Sequence, residues 1–204
     1  MSTVYVQVHL PFTNILCLDM AIREAGGTWN APEYIQELRQ AKIDVSKAQG
    51  TQDIISANNA YSRLLQSINS ETLPKSIQVN LRGQHMNFVR KKGQYSMKAS
   101  TRREAGLNSL ISSISSLYEK NMKLIQNEIE TTLQTINEQK DVLSAEHVES
   151  LRSAVETQQN AIREANQERV VEVTKEIEEK LVARGFEIRK RIVGKKIVYQ
   201  AVRR

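Results

Sequence analysis

Residues 104–184, EAGLNSLISSISSLYEKNMKLIQNEIETTLQTINEQKDVLSAEHVESLRSAVETQQNAIREANQERVVEVTKEIEEKLVAR, hold the pattern that decides this fold. From Glu104 onward apolar residues recur every three or four positions. Leu107, Leu110, Ile111, Ile114, Leu117, Tyr118, Ile125, Ile129, Leu133 and Ile136 form one stripe, the signature of an amphipathic helix. Polarity rises around Asp141 to Ser144, and Ser144 is placed to cap a second helix with Glu146 in its first turn. Its stripe comprises Val148, Leu151, Val155, Ile162, Ala165, Val170, Val173, Ile177 and Leu181, and Gly185 stands where a C-terminal cap belongs. At about 1.5 Å per residue each helix would span on the order of 55 Å.

Two such stripes joined by a short polar link are expected to close on each other, because an isolated amphipathic helix leaves its apolar face in water. The expectation is therefore a long antiparallel helical hairpin, a coiled coil within the chain. Asn121, Glu128, Gln158 and Arg169 interrupt its seam, so another subunit or a partner would add to its stability.

Outside this segment the periods are those of sheet and short helix. Val4, Val6, Val8 and Leu10 alternate with polar residues as a strand with one buried face, and Asn14 could cap a helix through Leu16, Leu18, Met20 and Ile22 that Gly26 and Gly27 stop. The apolar spacing predicts two short helices separated by Gly50 between residues 32 and 69. Ile77, Val79 and Leu81 give another strand, closed by Gly83, and MNFVRKKGQYSMKAS reads as a hairpin turning at Gly93. The closing FEIRKRIVGKKIVYQAV is the clearest hairpin, with Gly194 and Lys195 at its tip and Val193 opposite Lys196. Phe186, Ile188, Ile192, Ile197, Tyr199 and Ala201 would then share a face, which is expected to pack on the earlier strands.

The predicted fold is α+β: a small antiparallel sheet with a flanking helix, formed by residues 1–103 and 185–204, carrying the helical hairpin of residues 104–184 as an insertion. Charge follows the same division. Residues 82–103 hold 7 basic and no acidic groups, and residues 184–204 hold 8 and one, so each segment is +7. Residues 104–183, with 8 basic and 15 acidic groups, are −7, and residues 1–81 are near neutral at −1. A basic head and an acidic arm result.

No residues converge on a chemistry. His9, His85 and His147 have no ligand-spaced neighbours, neither a G-x-G-x-x-G nor a Walker A pattern occurs, and the carboxylates of the arm are spread along helix faces. Neither a metal nor a cofactor is expected, and an enzyme is not the reading these residues support. The single cysteine, Cys17, excludes an internal disulfide and suits a reducing compartment. No window reaches the roughly 18 apolar residues of a membrane span, and no basic leader opens the chain, which points to the cytoplasm.

The distinctive residues are two basic clusters. Arg90, Lys91, Lys92, Lys98, Arg102 and Arg103 form one; Arg189, Arg191, Lys195 and Lys196 form the other. On a shared sheet they would make a patch able to contact nucleic-acid phosphates, an acidic protein, or the acidic arm of a neighbouring copy.

Three segments, STVYVQVHL with its following helix, FVRKKGQYSMKA, and KLVARGFEIRKRIVGKKIVYQAVRR, resemble a family of small proteins of cyanobacteria, plastids and other bacteria described as a hypothetical chloroplast reading frame. The resemblance covers the two ends of the chain and residues 77–98. It implies a role accessory to MoxR-type AAA ATPases and supplies no catalytic residues. The functional expectation is a non-enzymatic adaptor or assembly subunit, a homo-oligomer or the partner of an AAA ATPase, acting through arm and basic sheet. The alternative is a nucleic-acid-binding protein using the basic sheet.

Overall fold

The computed structural model describes residues 12–69, 71–98, 104–138, 143–193 and 196–203. The expected opening strand at residues 4–10 lies outside them. The first helix, α1 (Ile15–Glu24), begins at Asn14, whose Oδ1 accepts from the Cys17 N–H at 3.0 Å. This is the cap the sequence offers. Next come β1 (Gly27–Thr28), α2 (Glu33–Lys47), α3 (Thr51–Ser67), β2 (Ser76–Leu81), β3 (Gln84–Lys91) and β4 (Gln94–Lys98). The two long helices are α4 (Glu104–Glu138) and α5 (Ala145–Ala183), and the chain closes with β5 (Phe186–Val193) and β6 (Lys196–Arg203). The fold is α+β.

Strands β1 to β4 form one antiparallel sheet in chain order. Both of its tight hairpins are two-residue turns with positive φ at both positions, 50° and 75° at Arg82 and Gly83 and 56° and 68° at Lys92 and Gly93. That is a type I′ turn, whose twist matches the strands it joins, and the glycine in second place takes its positive φ without strain. In β2 burial alternates strictly. Ile77, Val79 and Leu81 point into the core that they share with Leu16, Leu18 and Ile22 of α1. The two-residue β1, paired through Gly27 with Leu81, is too short to show any period and was not anticipated.

The closing hairpin has the expected register, with Val193 opposite Lys196. It does not extend the first sheet, however: β5 and β6 form a two-stranded sheet of their own. A shared strand period does not specify which edge a hairpin joins, and among the described residues β5 and β6 pair as strands only with each other.

Both long helices occur where the stripes place them, with 35 and 39 residues. The Ser144 Oγ accepts from the His147 N–H at 3.3 Å, and Gly185 follows α5 with φ 81°. Contact between the two stripes is only part of their burial. Helix α4 lies against α1, and α5 lies against α3 as well as α4. Ile111, Ile114, Ile125, Ile129 and Val155 consequently belong to the same core as α1 and the sheet. At the link between the long helices, Ile136 and Leu151 are buried with Ile55 of α3, and Val148 packs beside them.

Three attachments fix α4 to the start of α1. The Tyr118 hydroxyl accepts from the backbone N–H of Thr13 and of Asn14, each at 3.0 Å. The Tyr118 ring meets Phe12 edge-on at 5.0 Å, and Phe12 in turn packs on Phe88 of β3. Burial pushes the Tyr118 phenol above its ordinary range. Further along, Lys120 reaches Glu24 at 3.1 Å.

Candidate protein-interaction surface

Helix α5 has two dissimilar halves. Through its first half the residues facing the rest of the chain recur at three and four: Val148, Leu151, Val155, Gln158, Ile162 and Ala165, all buried or half-buried. The same inward line continues to Arg169 and Glu176, also half-buried. Val170 and Ile177 do not follow it. They sit one position past Arg169 and Glu176, which at 3.6 residues per turn rotates them about 100° away from the core-facing line. The shift is visible in the spacing of five between Ala165 and Val170. Val170, Val171, Ile177 and Val182 are 62%, 64%, 53% and 60% exposed, Val171 and Val182 on a second line more than about 100° from the first, and they are four of the five exposed large hydrophobic residues among the described residues. Within the expected seam, therefore, Ile111, Ile114, Ile125, Ile129, Ile136, Leu151 and Val155 are buried, Val148, Ile162 and Leu181 are half-buried, and Ile177 is exposed. The side chains of Leu107 and Val173 lie outside the description.

The first half of α5 is fastened by polar contacts that the sequence pattern did not reveal. Gln158 donates to the Asn58 Oδ1 at 3.0 Å, and Ser62 donates to the Ala154 carbonyl at 3.0 Å. Asn59 and Ser150 exchange hydrogen bonds at 2.7 and 3.1 Å. Gln66 reaches Thr157 at 3.2 Å. Asn58, Ser62 and Gln158 are buried, so each needs the partner it has.

The basic residues are dispersed. Arg90 is half-buried at the edge of a cavity of about 700 Å³ that also contacts Leu16, Leu38, Leu65, Ile68 and Glu164. Lys91 is exposed. Lys92 forms an ion pair with Glu176 of α5, which also binds Lys180 at 2.8 Å. Lys98 ends β4, Arg189 and Arg191 lie in β5, and Lys196 starts β6; their side chains, like Arg102, Arg103 and Lys195 altogether, lie outside the description. The two groups sit on separate sheets, so sheet hydrogen bonding does not join them into one strand surface.

Ionisable groups are also buried between the helices. Lys42 of α2 is paired with Glu128 of α4 and lies over the Tyr61 ring of α3 at 5.7 Å. Removal from water pulls the Lys42 ammonium down to about 8, with the nearby Cys17 opposing the shift. The Cys17 thiol is pushed up to about 12 by burial, with Lys42 opposing, and burial raises Tyr61 as well. Buried Asp19 accepts from Arg23 at 3.0 Å, Trp29 at 2.8 Å and Arg39 at 2.8 Å. None of these groups lines the 700 Å³ cavity. They bind helices to one another, as a satisfied buried ion does. Asn121 is different: it is fully buried and neither of its side-chain polar atoms has a hydrogen-bond partner among the described residues.

Among the described residues no three His, Cys, Asp or Glu side chains gather where a metal could bind, and no helix is long and apolar enough to cross a membrane. Comparison of the chain with protein-family models, curated proteins and solved structures finds no match.

Proposed function

We propose that this chain is a non-enzymatic adaptor or assembly subunit that engages another polypeptide through the second half of α5. The observation that supports this reading is the rotation of the apolar line at Val170. A helix whose first half turns its apolar side to its own core, and whose second half turns it to solvent, is built to hold two sets of contacts. In this reading the long helices make the hairpin that carries the surface. Lys92, bound to Glu176, sets the β3–β4 turn beside it. An AAA ATPase is the partner class implied by the family resemblance. The nucleic-acid reading draws less support, because Lys92 already neutralises a carboxylate and the basic hairpins occupy separate sheets.

The test is a chain with Val170, Val171, Ile177 and Val182 all changed to serine. At a concentration low enough to keep the parent monomeric it should unfold at the same temperature as the parent, and at higher concentration it should lose its protein complexes in size-exclusion chromatography with light scattering. Unfolding well below the parent would show that these residues serve the fold, and the proposal would fail.

A further inference from the structure

The geometry points to a binding site for a fatty carboxylate, an unbranched aliphatic chain with an anionic head, in the cavity of about 700 Å³ that α1, α2, α3 and α5 enclose with the β3–β4 turn. The site lies along the first half of α5, apart from the surface proposed for assembly, and stands or falls separately.

Volume and walls set the body of the ligand. Cavities of roughly 300 to 1,000 Å³ hold small organic molecules. Here Ile15 and Leu16 of α1, Leu38 of α2, Leu65 of α3, and Ile68 and Leu73 beyond it supply apolar wall, and Ala161 and Ala165 of α5 line the cavity with them. All are aliphatic. Among the described residues no aromatic ring lines the space, so nothing offers a stacking face to a nucleobase or another flat ring. A flexible aliphatic chain removes such walls from water without needing one.

Most of the neutral polar groups around the cavity are already engaged. Gln66 donates to the Thr157 hydroxyl at 3.2 Å, and that hydroxyl donates to the Ser153 carbonyl at 3.0 Å. The Asn14 Oδ1 caps α1, and the Asn69 Oδ1 accepts from the N–H groups of Glu71 and Thr72, each at 3.0 Å. A ligand rich in hydroxyls would have to displace these bonds.

Charge sets the head. The charged residues lining the cavity are Arg90, half-buried, and Glu164, exposed. Water and salt screen the exposed carboxylate more than the half-buried guanidinium, and the first turn of α1, which lines the same cavity, also favours negative charge. An anion is therefore the preferred head. Arg90 carries a fork of N–H donors, enough to hold a carboxylate beside the contact it already makes.

The test is isothermal titration calorimetry of the full chain with octanoate, nonanoate and decanoate. One decanoate per chain is expected, with affinity rising about fourfold for each added methylene. Ala161→Phe, which puts a ring into the cavity, should remove the binding. Decanol should bind more weakly than decanoate, and Arg90→Gln should weaken decanoate about tenfold without changing decanol, a selectivity that a merely unsettled fold would not produce. This comparison decides the matter if Ala161→Phe does not fold. Serine at both Val170 and Ile177 should leave decanoate affinity at the parent value. Absence of saturable decanoate binding would overturn the site. So would binding retained by a folded Ala161→Phe chain, decanol bound as tightly as decanoate, or binding lost with Val170 and Ile177, which would put the ligand on the outer surface of α5.

Discussion

The first and second halves of α5 are one continuous helix with opposite relations to water. The first half buries Leu151, Ala154 and Val155 and still relies on Gln158, Ser150 and Thr157 to hold α3, whereas the second leaves Val170, Val171, Ile177 and Val182 outside. Apolar content therefore does not decide which half is core. What decides it is azimuth: a five-residue step from Ala165 puts Val170, and Ile177 a heptad later, off the line that faces the chain. A helix can be stabilised along one line and recognised along another.

The contrast would break most clearly at Leu151. Leu151→Ala should cost about 3 kcal/mol of unfolding free energy, measured by urea denaturation, because Leu151 is buried with Ile55 and Ile136. A loss below 1 kcal/mol, on the scale of a surface change, would show that the first half is not core.

Next in size is Asn121, whose amide is buried without a partner. Asn121→Leu should stabilise the chain by about 1 to 2 kcal/mol, the scale of an unpaid desolvation. Destabilisation in the same denaturation experiment would mean that Asn121 is bonded in solution.

The buried charges between the helices give a smaller, pH-dependent effect. Folding lowers Lys42 from 10.5 to about 8, so between those values the unfolded chain binds more protons and stability rises with pH. Folding raises Cys17 from 9.0 to about 12, which makes stability fall with pH above 9. The unfolding free energy measured with urea should therefore rise between pH 8 and 9, by at most about 1 kcal/mol, and stop rising beyond that. Lys42→Met should abolish the rise, and a rise that persisted would assign it to another group.

The smallest expected change is at the other half of α5. Ile177→Ala, at a side chain 53% exposed, should shift the unfolding free energy by less than about 0.5 kcal/mol at a protein concentration low enough to keep the chain monomeric. A cost like that of Leu151→Ala would erase the distinction between the halves.

Elements were legible in the sequence where the local code is strong. Asn14 and Ser144 announce caps, Gly83 and Gly93 announce hairpin turns, and unbroken three-four periodicity announces α4 and α5. Partnership was not legible. A period shows that a face is apolar, not which neighbour covers it, so nothing local showed α4 lying on α1 or the closing hairpin standing apart from the first sheet. The α3–α5 contact is hidden for a different reason. Asn58, Asn59 and Ser62 are residues that weaken a helix and Gln66 is simply polar, and only their pairing across the contact makes them adhesive. The surface on α5 was present as a gap of five between Ala165 and Val170, which reads as irregularity until the inward line is known.

The Tyr118 hydroxyl bonds to residues 105 and 104 positions earlier, and this sets the order in which the chain can mature during its own synthesis. At about 5 to 20 residues per second, several seconds separate the emergence of Thr13 from that of its anchor. Throughout that interval Phe12 and the opening turn of α1 lack the ring and hydroxyl that enclose them. The apolar surface around Phe12 is therefore completed only after Tyr118 is made, and truncation before Tyr118 would leave it without that cover.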